Sequence, residues 1–147
     1  MQRKTIALCA LILCGLPGIS LARDTTHHLP FDEVVAEATK AGRLDGSVKF
    51  YLNGKPAAGK VTVLTPSAIT NKKTNSFGKS DEEACRWVLQ SALITLQDAA
   101  KKAGANAVTD IVSYYKSHEY SSSQDYECHA GAIMAGVALK GKLARID

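Results

Sequence analysis

The strongest constraint on this chain is a stretch that announces both of its own ends. Ser80-Asp-Glu-Glu83 is a Ser-x-x-Glu capping box, with acidic residues where a helix dipole favours negative charge. Behind it, Cys85, Val88, Leu89, Ala92, Leu93, Leu96, Ala99, Ala100 and Ala103 recur at helical spacing as one broad apolar stripe. Lys101 and Lys102 close the last turn, and Gly104 is placed for a left-handed cap. The pattern predicts a helix over 80–103 with one face buried, so the remaining residues must supply a surface for that face.

Those residues read as short strands and one further helix. From Phe31, apolar positions at Val34, Val35, Ala38 and Ala41 give a short helix, with Asp32 and Glu33 first, Lys40 and Arg43 last, and Gly42 to stop it. Residues 47–52 alternate and end at Asn53-Gly54, a turn signal. Residues 60–65 read as the next strand, with Pro66 marking an edge or bulge and 68–70 as an extension. Residues 71–79 read as polar loop. Residues 107–115 are β-branched and aromatic, and 126–140 read as a longer strand forming a hairpin with them, with Ser121–Asp125 as the loop. A buried helix over 130–139 is the alternative. In the strand reading, Ile133, Ala135, Val137 and Leu139 share one face, and Cys128, Ala130, Ala132, Met134, Gly136 and Ala138 share the other. Residues 23–28 read as a loose polar terminus.

The first 22 residues read as an address. Met1–Lys4 is basic, 5–13 is apolar and broken by Gly15, Pro17 and Gly18, and Ser20-Leu-Ala22 has small residues at the positions a signal peptidase reads. Cleavage is expected between Ala22 and Arg23, which makes the product periplasmic or secreted. Cys14 ends an apolar stretch as in a lipobox, but Leu13 stands where a small residue belongs, so lipidation at Cys14 is not expected. The processed chain 23–147 is expected to be one domain. The full sequence, at 46% hydrophobic residues, has a globular and not a disordered composition, and beyond residue 22 it has no apolar run long enough to span a bilayer. The processed chain's 16 basic and 14 acidic residues leave a net +2, no basis for nucleic-acid binding.

Export removes Cys9 and Cys14, leaving Cys85 and Cys128 in an oxidising compartment, where they can form one intramolecular bridge. Cys85 lies on the apolar stripe and Cys128 on the small-residue strand face, so both belong to one helix–sheet layer. A Cys85–Cys128 disulfide is expected if the Cα atoms come within ~7 Å. A free reactive pair is the alternative, without C-x-x-C spacing to support it.

Candidate chemistry is sparse. Phe77-Gly-Lys-Ser80 looks like the end of a P-loop, but Lys73 occupies the place of the required first glycine, so ATP binding is not expected. His118 and His129 flank the last loop and make a candidate surface site for copper or zinc. Cys128 and His129 are adjacent on a strand and point apart, so they cannot act as a nucleophile and its base. Asp110 alternates with Val108 and Val112 as a candidate buried acid. Tyr114, Tyr115, Tyr120 and Tyr126 gather near the hairpin end, as cross-strand packing or as a binding surface.

Gly104-Ala-Asn-Ala-Val108, followed by Cys128-x-x-x-Ala-Ile-x-x-Gly-x-Ala-Leu139 after a hairpin, resembles the core domain of the outer-membrane stress-sensor lipoprotein RcsF. More loosely it is similar to the YbjQ family, labelled heavy-metal-binding domains. The likeness covers about the last 60 residues. The whole chain also resembles small exported proteobacterial proteins sharing NKKTN-FGKSDEEAC, some labelled "excinuclease ATPase subunit", a label at odds with the incomplete P-loop and the leader. The resemblance implies an α+β domain: a small, mostly antiparallel sheet, the long helix packed across it, and a short N-terminal helix. It makes Cys85–Cys128 one of the sensor's two bridges. Met134 stands where a further cysteine would be, and the sensor's lipid anchor and proline-rich linker are missing. The expected function is a non-enzymatic interaction or envelope-associated protein without cofactor, its partner another envelope protein. A metal-binding module and an enzyme with an unrecognised site are the alternatives.

Overall fold

The computed structural model describes residues 23–147; the leader, with Cys9 and Cys14, lies outside them. In chain order these residues form β1 (Thr25–Pro30), α1 (Phe31–Lys40), β2 (Lys49–Leu52), β3 (Val61–Asn75), α2 (Asp81–Ala103), β4 (Ala107–Ser113), β5 (Asp125–Ala130) and β6 (Met134–Ile146). The long helix forms as its caps require. Ser80 Oγ accepts the Glu83 N–H at 3.1 Å, and Gly104 adopts φ +76°. Cys85, Val88, Leu89, Ala92, Leu93, Leu96 and Ala100 are all buried.

The helices cover one face of a six-stranded sheet ordered β1-β5-β6-β4-β2, with β3 on the other edge of β6. Gly136 opposes both His129 of β5 and Lys73 of β3, and Leu143 opposes both Val108 of β4 and Thr65 of β3. The long β6 is therefore the spine, flanked by β3 along one side and by β5 and then β4 along the other. The fold is α+β as expected, but the sheet is mixed. β2 pairs with β4 in parallel, because the chain between them runs through β3 and α2. The core is the layer where Leu89, Leu93 and Leu96 meet Val108, Ile111, Tyr126, Val137, Leu139 and Leu143, closed at one end by Phe31 and Val34 of α1.

Four local expectations are corrected. The stretch 23–28 is not loose: β1 pairs residue by residue with β5, from Thr25↔Ala130 to Pro30↔Asp125. Residues 71–75 are not loop but the end of β3, paired with β6 in unbroken register from Ala68↔Gly141 to Asn75↔Met134. Their polarity is that of an edge strand with one face in water. Register shifts on either side of Thr65 supply the irregularity that Pro66 signalled. Residues 126–140 are two strands joined by a tight turn, with the Gly131 N–H on Met134 O at 2.7 Å, so neither a single strand nor a helix. Past that turn the faces exchange: Cys128 and Ala130 share the core with Ala135, Val137 and Leu139, while Met134 is exposed. Asp110 is not buried. It sits at φ +51° in a bulge where the β4–β6 register shifts, which lets Val108 and Ile111 both face the core and sends Asp110 out to Lys142 at 3.1 Å. Gly141 lies against this bulge, where a Cβ would come within 2.8 Å of Val108 Cγ1.

Cys85 and Cys128 form a disulfide between α2 and β5, their Cα atoms 5.9 Å apart and both side chains fully buried. The helix stripe and the core-facing parity of β5 bring them together, as their sequence positions predicted.

Candidate interaction surface

The β1–β5 register decides which side chains meet on the sheet face turned away from α2. His28 opposes Glu127 and Thr26 opposes His129, while His27 opposes the core-facing Cys128. Alternation therefore puts Thr26, His28, Glu127 and His129 on the outer face and turns His27 toward the start of α2. There His27 Nε2 lies 2.9 Å from Asp81 Oδ2, which also receives Arg23 Nη1 at 2.6 Å. The hydrogen bond from Arg23, then that from His27, draws the Asp81 carboxyl down to about 2. These contacts fasten β1 to the helix beneath as the β ladder fastens it to β5.

On the outer face the side chains form a continuous ladder. Tyr115 stacks on His129 with ring centroids 3.7 Å apart and 14° between planes. His129 Nε2 is 2.7 Å from Glu127 Oε1, and His28 Nε2 is 3.2 Å from Glu127 Oε2. Tyr120 then stacks on His28 at 4.1 Å and 8°. One carboxylate thus sits between two imidazoles, each backed by a tyrosine ring. The other nitrogen of His129 lies 3.4 Å from Thr26 Oγ1 and 3.5 Å from Asp24 Oδ1. Burial works to raise the Glu127 carboxyl, but the hydrogen bonds from His129 and His28 outweigh it and hold it below its ordinary value.

The tyrosines are placed by a loop with little freedom. Ser113 and Tyr120 exchange both backbone hydrogen bonds, at 3.0 and 2.9 Å, closing the loop at its base. Within it, Lys116 and Ser117 hold left-handed φ values of 51° and 62°, which cost a non-glycine residue free energy. Ser113 Oγ accepts the Glu127 N–H at 2.9 Å, tying the loop to β5. Beside the ladder a cleft of about 230 Å³ opens over Gly136, walled by Tyr115, His129, Lys73, Met134 and Arg23.

The sequence-predicted residues divide. Tyr115 and Tyr120 belong to the ladder. Tyr114 lies to one side, with Lys140 Nζ 4.9 Å from its ring. Tyr126 is not a surface residue: it shares the core-facing parity of Cys128 and is fully buried, and burial pushes its hydroxyl well above the ordinary tyrosine range. His129 is in the ladder, but its partners are Glu127, Asp24, Thr26 and Tyr115; His118 is exposed and contributes nothing to them. Among the described residues no group of three or more His, Cys, Asp or Glu side chains is arranged to hold a metal ion. Sequence reasoning missed Glu127 and left His28, beside His27, in a loose polar terminus with no partner.

No family model and no curated protein matches the chain. Among solved structures, a protein of unknown function from Pediococcus pentosaceus, assigned to the DUF74 family, is similar at 10% identity. The match covers 68% of this chain and 98% of that one, with a TM-score of 0.48. No helix among the described residues is long and apolar enough to cross a membrane.

Proposed function

We propose that this chain is an exported, non-enzymatic interaction protein of the cell envelope, clamped by Cys85–Cys128, which presents the Tyr115–His129–Glu127–His28–Tyr120 face to another envelope protein. The ladder itself carries this reading. Stacked and hydrogen-bonded side chains lose little further freedom on binding, and tyrosines held this way are efficient anchors at protein interfaces. Glu127 has both oxygens engaged by imidazoles, an arrangement suited to holding the ladder's shape. A fully buried disulfide behind a leader-like segment supports an oxidising destination, periplasmic or secreted. The resemblance of 104–139 to the stress-sensor core points the same way.

A photoreactive phenylalanine analogue at Tyr120 tests this in living cells, with the same group at the exposed Asp98 on α2 as control. The expected result is a discrete protein adduct from position 120 alone, reduced more than about tenfold by Tyr115→Ala. Equal adducts from both positions, or none from position 120, would remove the ladder from the interface.

A further inference from the structure

Charge and exposed apolar surface are segregated together in this fold. Neither Val61–Ser80 nor Cys128–Ile146 contains a single Asp or Glu, yet between them they hold Lys72, Lys73, Lys79, Lys140, Lys142 and Arg145. The same two segments hold seven of the eight exposed large hydrophobic residues among the described residues; the other, Trp87, is covered by the Arg43 guanidinium at 4.3 Å. Three of the seven meet at one end, where the turn after β3 abuts the turn before β6. The Ser76 N–H donates to Ile133 O at 2.9 Å, Ser76 Oγ donates to Gly131 O at 3.2 Å, and Asn75 opposes Met134. This leaves Phe77 78% exposed, Ile133 63% and Met134 44%.

The cations divide in a way that singles out this end. Lys140 and Lys142 lie near Glu119 and Asp110 from elsewhere in the chain, and Arg145 near Asp147, two residues on. Lys72, Lys73 and Lys79, which flank Phe77 in sequence, have no carboxylate partner among the described residues.

We infer that the 76–79 and 131–134 turns form a membrane-docking tip, with Phe77, Ile133 and Met134 entering the interface of an anionic phospholipid bilayer while Lys72, Lys73 and Lys79 meet its headgroups. The acidic first turn of α2 adjoins Lys79, but Asp81 is engaged by Arg23 and His27 and Glu82 lies near Arg86. The cations of the tip, Lys72, Lys73 and Lys79, therefore favour a negative surface. The residue types select lipid over protein, because lysine is depleted at protein interfaces but suits a lipid interface, where its apolar stem lies along the acyl boundary and its ammonium reaches phosphate. Lys73 and Met134 also wall the cleft beside the tyrosine–histidine ladder, but Phe77 and Ile133 do not, and crosslinking from Tyr120 reads a different position.

The test is co-sedimentation of the protein, purified from cells expressing the full chain, with phosphatidylglycerol–phosphatidylethanolamine vesicles and with phosphatidylcholine vesicles. Binding is expected to the anionic vesicles and to be weakened by salt. It should fall more than about tenfold in Phe77→Ser/Ile133→Ser and roughly fivefold for Lys73→Ala. Melting temperatures should stay unchanged, since all three positions are exposed. Absence of binding, equal binding to neutral vesicles, or unchanged binding by Phe77→Ser/Ile133→Ser overturns the inference. A change of oligomeric state in that variant without vesicle binding by the parent also overturns it, and makes the tip a self-association surface.

Discussion

Replacing both Cys85 and Cys128 by alanine is expected to lower the melting temperature by about 10–20 °C. The bridge joins residues 43 apart in sequence, and the chain-entropy model gives such a loop about 4 kcal/mol of stabilisation. For a domain of this size each kcal/mol moves the midpoint by roughly 3–5 °C. Both side chains are fully buried under the first turns of α2, so the bond is closed to small reductants while the fold is intact. Dithiothreitol alone should therefore leave the thermal transition of the native protein unchanged over the time in which denaturant plus dithiothreitol abolishes it. A shift below about 3 °C in the double variant would mean that the helix and strand hold their positions without the bridge.

The second large effect separates two substitutions at one residue. Tyr126→Ala should cost about 3–5 kcal/mol in denaturant unfolding, because a fully buried ring is removed from between the helices and the sheet. Tyr126→Phe should cost nothing and can gain up to about 1 kcal/mol, because the buried hydroxyl has no hydrogen-bond partner among the described residues. A loss above about 1 kcal/mol for the phenylalanine variant would show that the hydroxyl is satisfied by a bound water. A small loss for the alanine variant would return Tyr126 to the surface, as the binding-surface reading of the tyrosine cluster, though not the cross-strand-packing one, requires.

That reversal shows what was legible in the sequence and what was not. The long helix was legible to within a residue because its ends are written locally, in Ser80, Glu83 and Gly104. The cysteine pairing was legible because helix periodicity and strand parity each assign a face, and both assignments held up to Ala130. Beyond it, the tight turn at 131–133 breaks the alternation, so the faces assigned to Ala135, Gly136 and Val137 were exchanged. Asp110 departs from the simple alternation for the same physical reason, since a bulge changes parity with no local marker in the residues themselves.

The ladder was harder to see. β1 is Thr-Thr-His-His-Leu-Pro, with almost no apolar alternation, and it becomes a strand because β5, about a hundred residues later, offers an edge. His28 and Glu127 are 99 residues apart in sequence and meet only through that register. The adjacent histidines were visible; the strand that divides them, one toward Asp81 and one toward Glu127, was not. Residues 71–75 read as loop because a polar edge strand and a polar loop have the same composition.

The proposed role depends on export, so that the Cys85–Cys128 clamp forms in an oxidising compartment. Export is tested most directly by alkylating the protein in intact cells expressing the full chain, then measuring its intact mass before and after reduction. The predicted product begins at Arg23, carries no alkyl group, and gains two only when reduced and alkylated after denaturation. A product that begins at Met1, with Cys85 and Cys128 already alkylated, would contradict export.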